Sequence, residues 1–160
     1  MKKLALVLTA LVLSLTASAQ FEQGKVHAAA SLSGVNLSYN GAEKWNVGLD
    51  ALAGYFVEDN WMVYAKAGID RQSNDTGTSV DLGAGGRYYI IQNGLYLGAN
   101  CSYKHMYHNY NDIVPGIELG YAFFINRHCT IEPALYYNQS LKDHANYSTF
   151  GVRIGFGIYM

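Results

Sequence analysis

The feature that most constrains this chain is a strict period-two alternation, repeated over eight separate stretches from residue 25 to the end. One face of each stretch is apolar. The first carries Val26, Ala28, Ala30 and Leu32; the second Val47, Leu49, Ala51, Ala53, Tyr55 and Val57; the third Trp61, Val63, Ala65, Ala67 and Ile69. The fourth carries Val80, Leu82, Ala84, Gly86, Tyr88 and Ile90; the fifth Leu95, Leu97, Ala99, Cys101 and Tyr103; the sixth Ile113, Pro115, Ile117, Leu119, Tyr121 and Phe123. The seventh carries Cys129, Ile131, Pro133, Leu135 and Tyr137, and the last Phe150, Val152, Ile154, Phe156, Ile158 and Met160. Side chains alternate faces along a strand, so this pattern predicts strands and excludes amphipathic helices. Each run covers about 9 to 12 residues, the length a tilted strand needs to cross a bilayer.

The links between runs alternate in length. Short ones fall at Glu58-Asp59-Asn60, Gln92-Asn93-Gly94 and Asn126-Arg127-His128; longer polar ones fall near 34–46, 71–79, 105–111 and 138–147. Tight turns at one end and large loops at the other are the pattern of an up-and-down barrel in an outer membrane. Tyr55, Tyr88 and Tyr121 recur at a fixed interval, each followed two residues later by an apolar residue and then a short turn. With Trp61 they are expected to form an aromatic girdle at the short-turn boundary.

Ahead of the strands lies a different segment. Lys2 and Lys3 precede an apolar core from Leu4 to Thr16, and Ala17-Ser18-Ala19 supplies small residues for cleavage. This reads as a cleavable signal peptide over 1–19, with a barrel domain over 20–160. The core is too short for a membrane anchor. No Cys adjoins the cut, which excludes a lipid-anchored start.

Alternation alone does not say which face is wet, because a soluble lipocalin-like barrel also alternates. The second face decides. It holds many glycines and few charges, namely Asp50, Lys66, Asp81, Arg87, Lys104, Glu118, Glu132 and Arg153. Only 14% of the chain is charged, against roughly 25% in an average soluble domain. A water-facing surface would need more. A narrow eight-strand lumen is instead filled by small residues between a few large ones. Ions enclosed there must be paired, so the eight are expected to form a roughly neutral structural network plugging the lumen. Taking Gln92-Asn93 as the turn places Asp81 opposite Lys104. An open conducting pore is the disfavoured alternative. A net charge of −1 gives no pull toward nucleic acid.

On these grounds the chain resembles the outer-membrane protein beta-barrel domain family, the OmpA/OmpX-type small barrels. The segments that carry the resemblance are Ala53-Gly54-Tyr55-Phe56-Val57, Gly85-Gly86-Arg87-Tyr88-Tyr89-Ile90, Glu118-Leu119-Gly120-Tyr121-Ala122-Phe123 and the alternating final strand. The final strand ends on Met160 where the family's ends on an aromatic residue, and Tyr159 has the opposite parity. The resemblance implies an all-β, eight-stranded antiparallel up-and-down transmembrane β-barrel in the bacterial outer membrane. It implies lipid and lipopolysaccharide as surroundings, and periplasmic chaperones and the barrel assembly machinery as partners. It says fold far more than function.

A monomer with a structural or surface-interaction role, in adhesion or envelope integrity, is the expected function. No catalytic residue, cofactor or metal is expected. The alternatives are a lipid A-modifying outer-membrane enzyme and a soluble secreted ligand-binding barrel. For the enzyme, Ser102, His105 and His108, or Ser140, Asp143 and His144, supply the residue types of a nucleophile and base. Adjacent Asp143 and His144 rarely hold a triad geometry, so 140–144 reads as a solvated loop. His105 and His108 lack a third metal ligand. Tyr107, His108 and Tyr110 form a candidate surface-binding loop, rich in adaptable aromatic and amide contacts. Cys101 and Cys129 share the outward parity but lie two strands apart at different heights, so two free thiols are expected.

Overall fold

The structure, a computed structural model, describes residues 21–36, 46–72, 78–90, 94–106, 110–141 and 148–160. The expected signal peptide lies outside the described residues. Nine strand segments follow in order: β1 (Val26–Asn36), β2 (Asn46–Glu58), β3 (Trp61–Gln72), β4 (Thr78–Tyr89), β5 (Leu95–Met106), β6 (Tyr110–Tyr121), β7 (Phe123–Phe124), β8 (Cys129–Asn138) and β9 (Thr149–Tyr159). The sixth sequence stretch is not one strand. It is interrupted at Ala122, whose N–H still bonds the Gly94 carbonyl on the β5 side, and β7 is its two-residue continuation, paired with β8.

From β1 to β6 each strand pairs antiparallel with the next, β6 and the short β7 both pair with β8, β8 pairs with β9, and β9 pairs with β1. The sheet therefore closes into an eight-stave barrel with no free edge along its wall, the arrangement that satisfies backbone groups without solvent. The short turns are built by their own residues. Asn60 adopts a left-handed φ of 66°, and Gly94 one of 69°, conformations that Asn and Gly tolerate best. Asn126 Oδ1 accepts the N–H groups of His128 and Cys129 at 2.8 and 2.7 Å, closing the third turn as an Asx motif. Asp81 stands opposite Lys104 in the β4–β5 register.

The two faces of the wall are opposite in character. Leu49, Ile117 and Ile154 point outward with 55%, 62% and 49% exposure, whereas Arg87, Glu118 and Glu132 point inward with 3% each. That is the reverse of a water-soluble barrel, which hides its apolar face. On β2 and β3 the outward positions midway along the wall are Ala51, Ala53, Ala65 and Ala67, joined on β4 and β5 by Ala84, Ala99 and Cys101. Larger outward residues lie above and below them, among them Leu49, Ile69, Leu82, Tyr55, Val63 and Leu97.

Candidate functional site: the barrel interior

Facing residues of neighbouring strands share a register, so inward side chains fall into tilted rows. One row runs Met62, Arg87, Gly98, Glu118, Tyr136. A second runs Tyr89, Tyr96, Gly120, Ala134, Arg153. A third, toward the long-loop end, runs Asp50, Gly68, Asp81, Lys104, Asp112.

Arg87 is the hub of the first row. Its Nε donates to Glu118 Oε1 at 2.6 Å and its Nη1 to Glu132 Oε2 at 3.0 Å, reaching β6 and β8 across the lumen from β4. The guanidinium lies 4.4 Å from the Tyr96 ring centroid and 5.2 Å from that of Tyr64, within cation–π range on both. The other oxygen of Glu118 accepts from Arg153 Nη2, so two guanidiniums share one carboxylate. Glu132 Oε1 takes hydrogen bonds from Thr130 Oγ1 at 2.9 Å and the Tyr159 hydroxyl at 3.1 Å, with His27 Nε2 at 3.0 Å. Buried carboxylates with this many donors are held in place by charge-assisted bonds. Lys66 Nζ lies 3.9 Å from Asp81 Oδ2. Asp50, Lys66, Arg87, Tyr96, Glu132 and Arg153 help line one cavity of about 10 Å³, the scale of a single water.

Glycine makes this filling fit. A Cβ on Gly98 would meet Glu118 Cγ at 2.5 Å, and one on Gly120 would run into the Tyr96 ring. The large side chains lie over strands that present only backbone at those points.

Below the ionic layer, at the short-turn end, the lumen is floored by rings. Phe21, Phe56, Tyr89, Tyr96 and Tyr159 are all buried. Phe21 stacks on Tyr89 with centroids 4.2 Å apart, and the Tyr89 and Tyr159 hydroxyls meet at 3.1 Å. On the outside of the same end, Tyr55 and Trp61 are exposed. Trp61 and Tyr88 face each other in register with rings 4.9 Å apart, and Tyr121 is paired with Leu95.

The sequence assigned no lumen role to His27, Tyr64, Tyr96, Thr130, Tyr159 or Phe21. The first five have the inward parity of their strands, so parity was the available signal. Phe21 precedes the first strand and has no parity to read. One loop assignment needs correction. Ser140 is not solvated; it is fully buried and donates to Asp112, because the chain leaving β8 stays beside β6, where Gln139 N–H bonds the Pro115 carbonyl. Ser102 is a buried inward residue within β5. Tyr107, His108, Asp143 and His144 lie outside the described residues, and Tyr110 opens β6 opposite Met106. Cys101 and Cys129 are unbridged.

No family model and no curated protein matches the sequence. Solved structures do. The N-terminal β-barrel domain of Pseudomonas aeruginosa OprF superposes with a TM-score of 0.68 at 13% identity, covering 86% of this chain and 98% of that one. Neisserial surface protein A gives 0.59 at 18% identity, covering 85% and 95%. The outer membrane protein OprG from Pseudomonas aeruginosa gives 0.56 at 14% identity, covering 87% and 97%. The resemblance to small outer-membrane barrels therefore holds at the level of fold.

Proposed function

We propose that the chain is a monomeric integral protein of the bacterial outer membrane, exported by its signal peptide, with an occluded lumen and a structural or surface-interaction role. The observation that carries this reading is the inside-out polarity of the wall: a belt of exposed aliphatic side chains surrounds an inward Arg87–Glu118–Arg153–Glu132 cluster in which only Arg153 is partly exposed. Strands of 10 to 13 residues, tilted as barrel strands are, cover an apolar height of roughly 25 Å. Outward residues contact acyl chains, and Tyr55, Trp61, Tyr88 and Tyr121 mark the interface on the short-turn side. Lipopolysaccharide surrounds the other end, where the loop with Tyr107, His108 and Tyr110 serves as the contact surface for adhesion or envelope integrity. Periplasmic chaperones and the barrel assembly machinery deliver it.

The eight expected inward charges, with Asp112 and His27 added, plug the lumen and conduct no ions. The role is not catalytic: Ser140 is committed to Asp112 inside the barrel, where it cannot meet a lipid substrate. Two measurements test the proposal together. Cell fractionation should recover the protein with outer membranes, in a form whose gel mobility changes on boiling. Reconstituted monomer in planar bilayers should show no steady conductance. Recovery as a soluble protein without detergent would overturn the membrane assignment; a steady open channel would overturn the plug alone.

A further inference from the structure

The residues ahead of β1 have no part in the wall, yet they are bound tightly beneath it. The Phe21 ring is 4% exposed and touches Phe56, Tyr89, Phe124 and Tyr159, at centroid distances of 6.0, 4.2, 5.6 and 5.7 Å. Its carbonyl accepts the Asn60 N–H at 2.8 Å, and the Asn60 carbonyl in turn accepts the Tyr89 N–H at 2.8 Å. Gln23 clips the strap to the first turn from outside: its N–H donates to Asp59 Oδ1 at 2.8 Å and its side-chain amide to the Val57 carbonyl at 3.0 Å. Gly24 donates to the Phe56 carbonyl at 2.9 Å with a φ of 89°, a conformation that turns the chain back under the barrel and that L side chains resist. Phe56 N–H then returns a bond to Lys25 at 2.9 Å.

We propose that residues 21–23 are a detachable plug, with Phe21 as an intramolecular ligand of the ring-lined pocket at the short-turn mouth. Two features make it separable from the barrel. The Phe21 and Gln23 bonds that hold it end on the rim, at Asn60, Asp59 and Val57. The strand ladder itself begins only at Val26, which pairs with Tyr55 in β2. Phe21 can therefore leave, pivoting at Gly24, without breaking a strand pair. Its departure opens the floor beneath Arg87 and Glu132 to water from that end. This closure stands on local geometry and does not depend on the ionic plug above it, so either can fail alone.

Ala134 is a buried inward residue of the same hydrophobic cluster, and a cysteine there reports on the floor. The test uses the full chain with Cys101→Ala, Cys129→Ala and Ala134→Cys, labelled by a water-soluble maleimide in detergent micelles. The parent should be protected. Phe21→Ala should label at least about tenfold faster, the change that 1.4 kcal/mol of lost closing free energy produces. Phe21→Leu, which keeps an apolar plug, should restore protection. Boiling-dependent gel mobility verifies that each variant is folded; if Phe21→Ala is not, Gln23→Ala, which removes only the Gln23 side-chain clip to Val57, should give intermediate labelling. Equal labelling of parent and variant, or continued protection when Phe21 is removed, overturns the proposal.

Discussion

At the scale of single residues, the interior is governed by two opposite demands: enclosed charges must keep every partner, and the backbone opposite them must stay bare. Glu132 receives donors from β4, β8 and β9 through Arg87, Thr130 and Tyr159, and His27 Nε2 of β1 lies 3.0 Å from it. Glu132→Ala strands a guanidinium arm and two hydroxyls in a water-poor space, so it should destabilise the barrel by about 3–5 kcal/mol. Glu132→Gln keeps the shape and part of the bonding and should cost less, about 1–3 kcal/mol. Denaturant midpoints of the refolded protein check both, and equal midpoints for parent and Glu132→Ala would mean the cluster contributes nothing. Gly120→Ala is the complementary case. Its Cβ would enter the Tyr96 ring, which is itself fixed beneath Arg87, so overpacking of about 1–3 kcal/mol is expected. Gly86→Ala should be neutral or better, since the nearest atom to its Cβ is the Met62 carbonyl at 3.5 Å. A reversal of that order in the same unfolding assay would place the large side chains elsewhere.

At the scale of the strand, what matters is depth along the wall. Ala84 lies outward near the middle of β4, between Ala65 on β3 and Cys101 on β5, whereas Ile125 is exposed in the turn after β7. Ala84→Arg should therefore destabilise the lipid-inserted protein by about 2–4 kcal/mol and Ile125→Arg by about 0–1 kcal/mol. Equal costs in reconstituted vesicles would argue that the alanine band does not face hydrocarbon. These depths were legible in the sequence because strand parity is local. A residue's face follows from its position in an alternating run, and Leu49, Ile117 and Ile154 required nothing more. Pairing inside the lumen was less legible. Arg87 joins Glu118 and Glu132 across the barrel, skipping its strand neighbours, and this depends on how far the register climbs around a closed wall. Asp81 does face Lys104 in register, yet Lys66 also reaches it from β3.

At the scale of the whole molecule, closure removes the option of partial unfolding. Each stave of the wall is bonded on both sides, with β1 and β9 sealing the last seam from His27–Tyr159 to Asn36–Gly151. Opening any seam exposes backbone groups that have no replacement partners in a bilayer, each costing several kcal/mol. The Arg87 cluster reinforces this, because its members come from β4, β6, β8 and β9 and separate together. Cooperative loss of the whole barrel is the consequence. Gel mobility reports the intact barrel, and fluorescence from Trp61 reports the outer wall at the short-turn end. Along a denaturant series in lipid, the fraction with folded-state mobility and the Trp61 emission shift should have one shared midpoint, the mark of a two-state transition. The Trp45→Phe variant leaves Trp61 as the only tryptophan and makes the signal specific. A Trp61 transition that clearly precedes the mobility change would show the β2–β3 turn melting on its own, and the closed wall would not be the unit of stability.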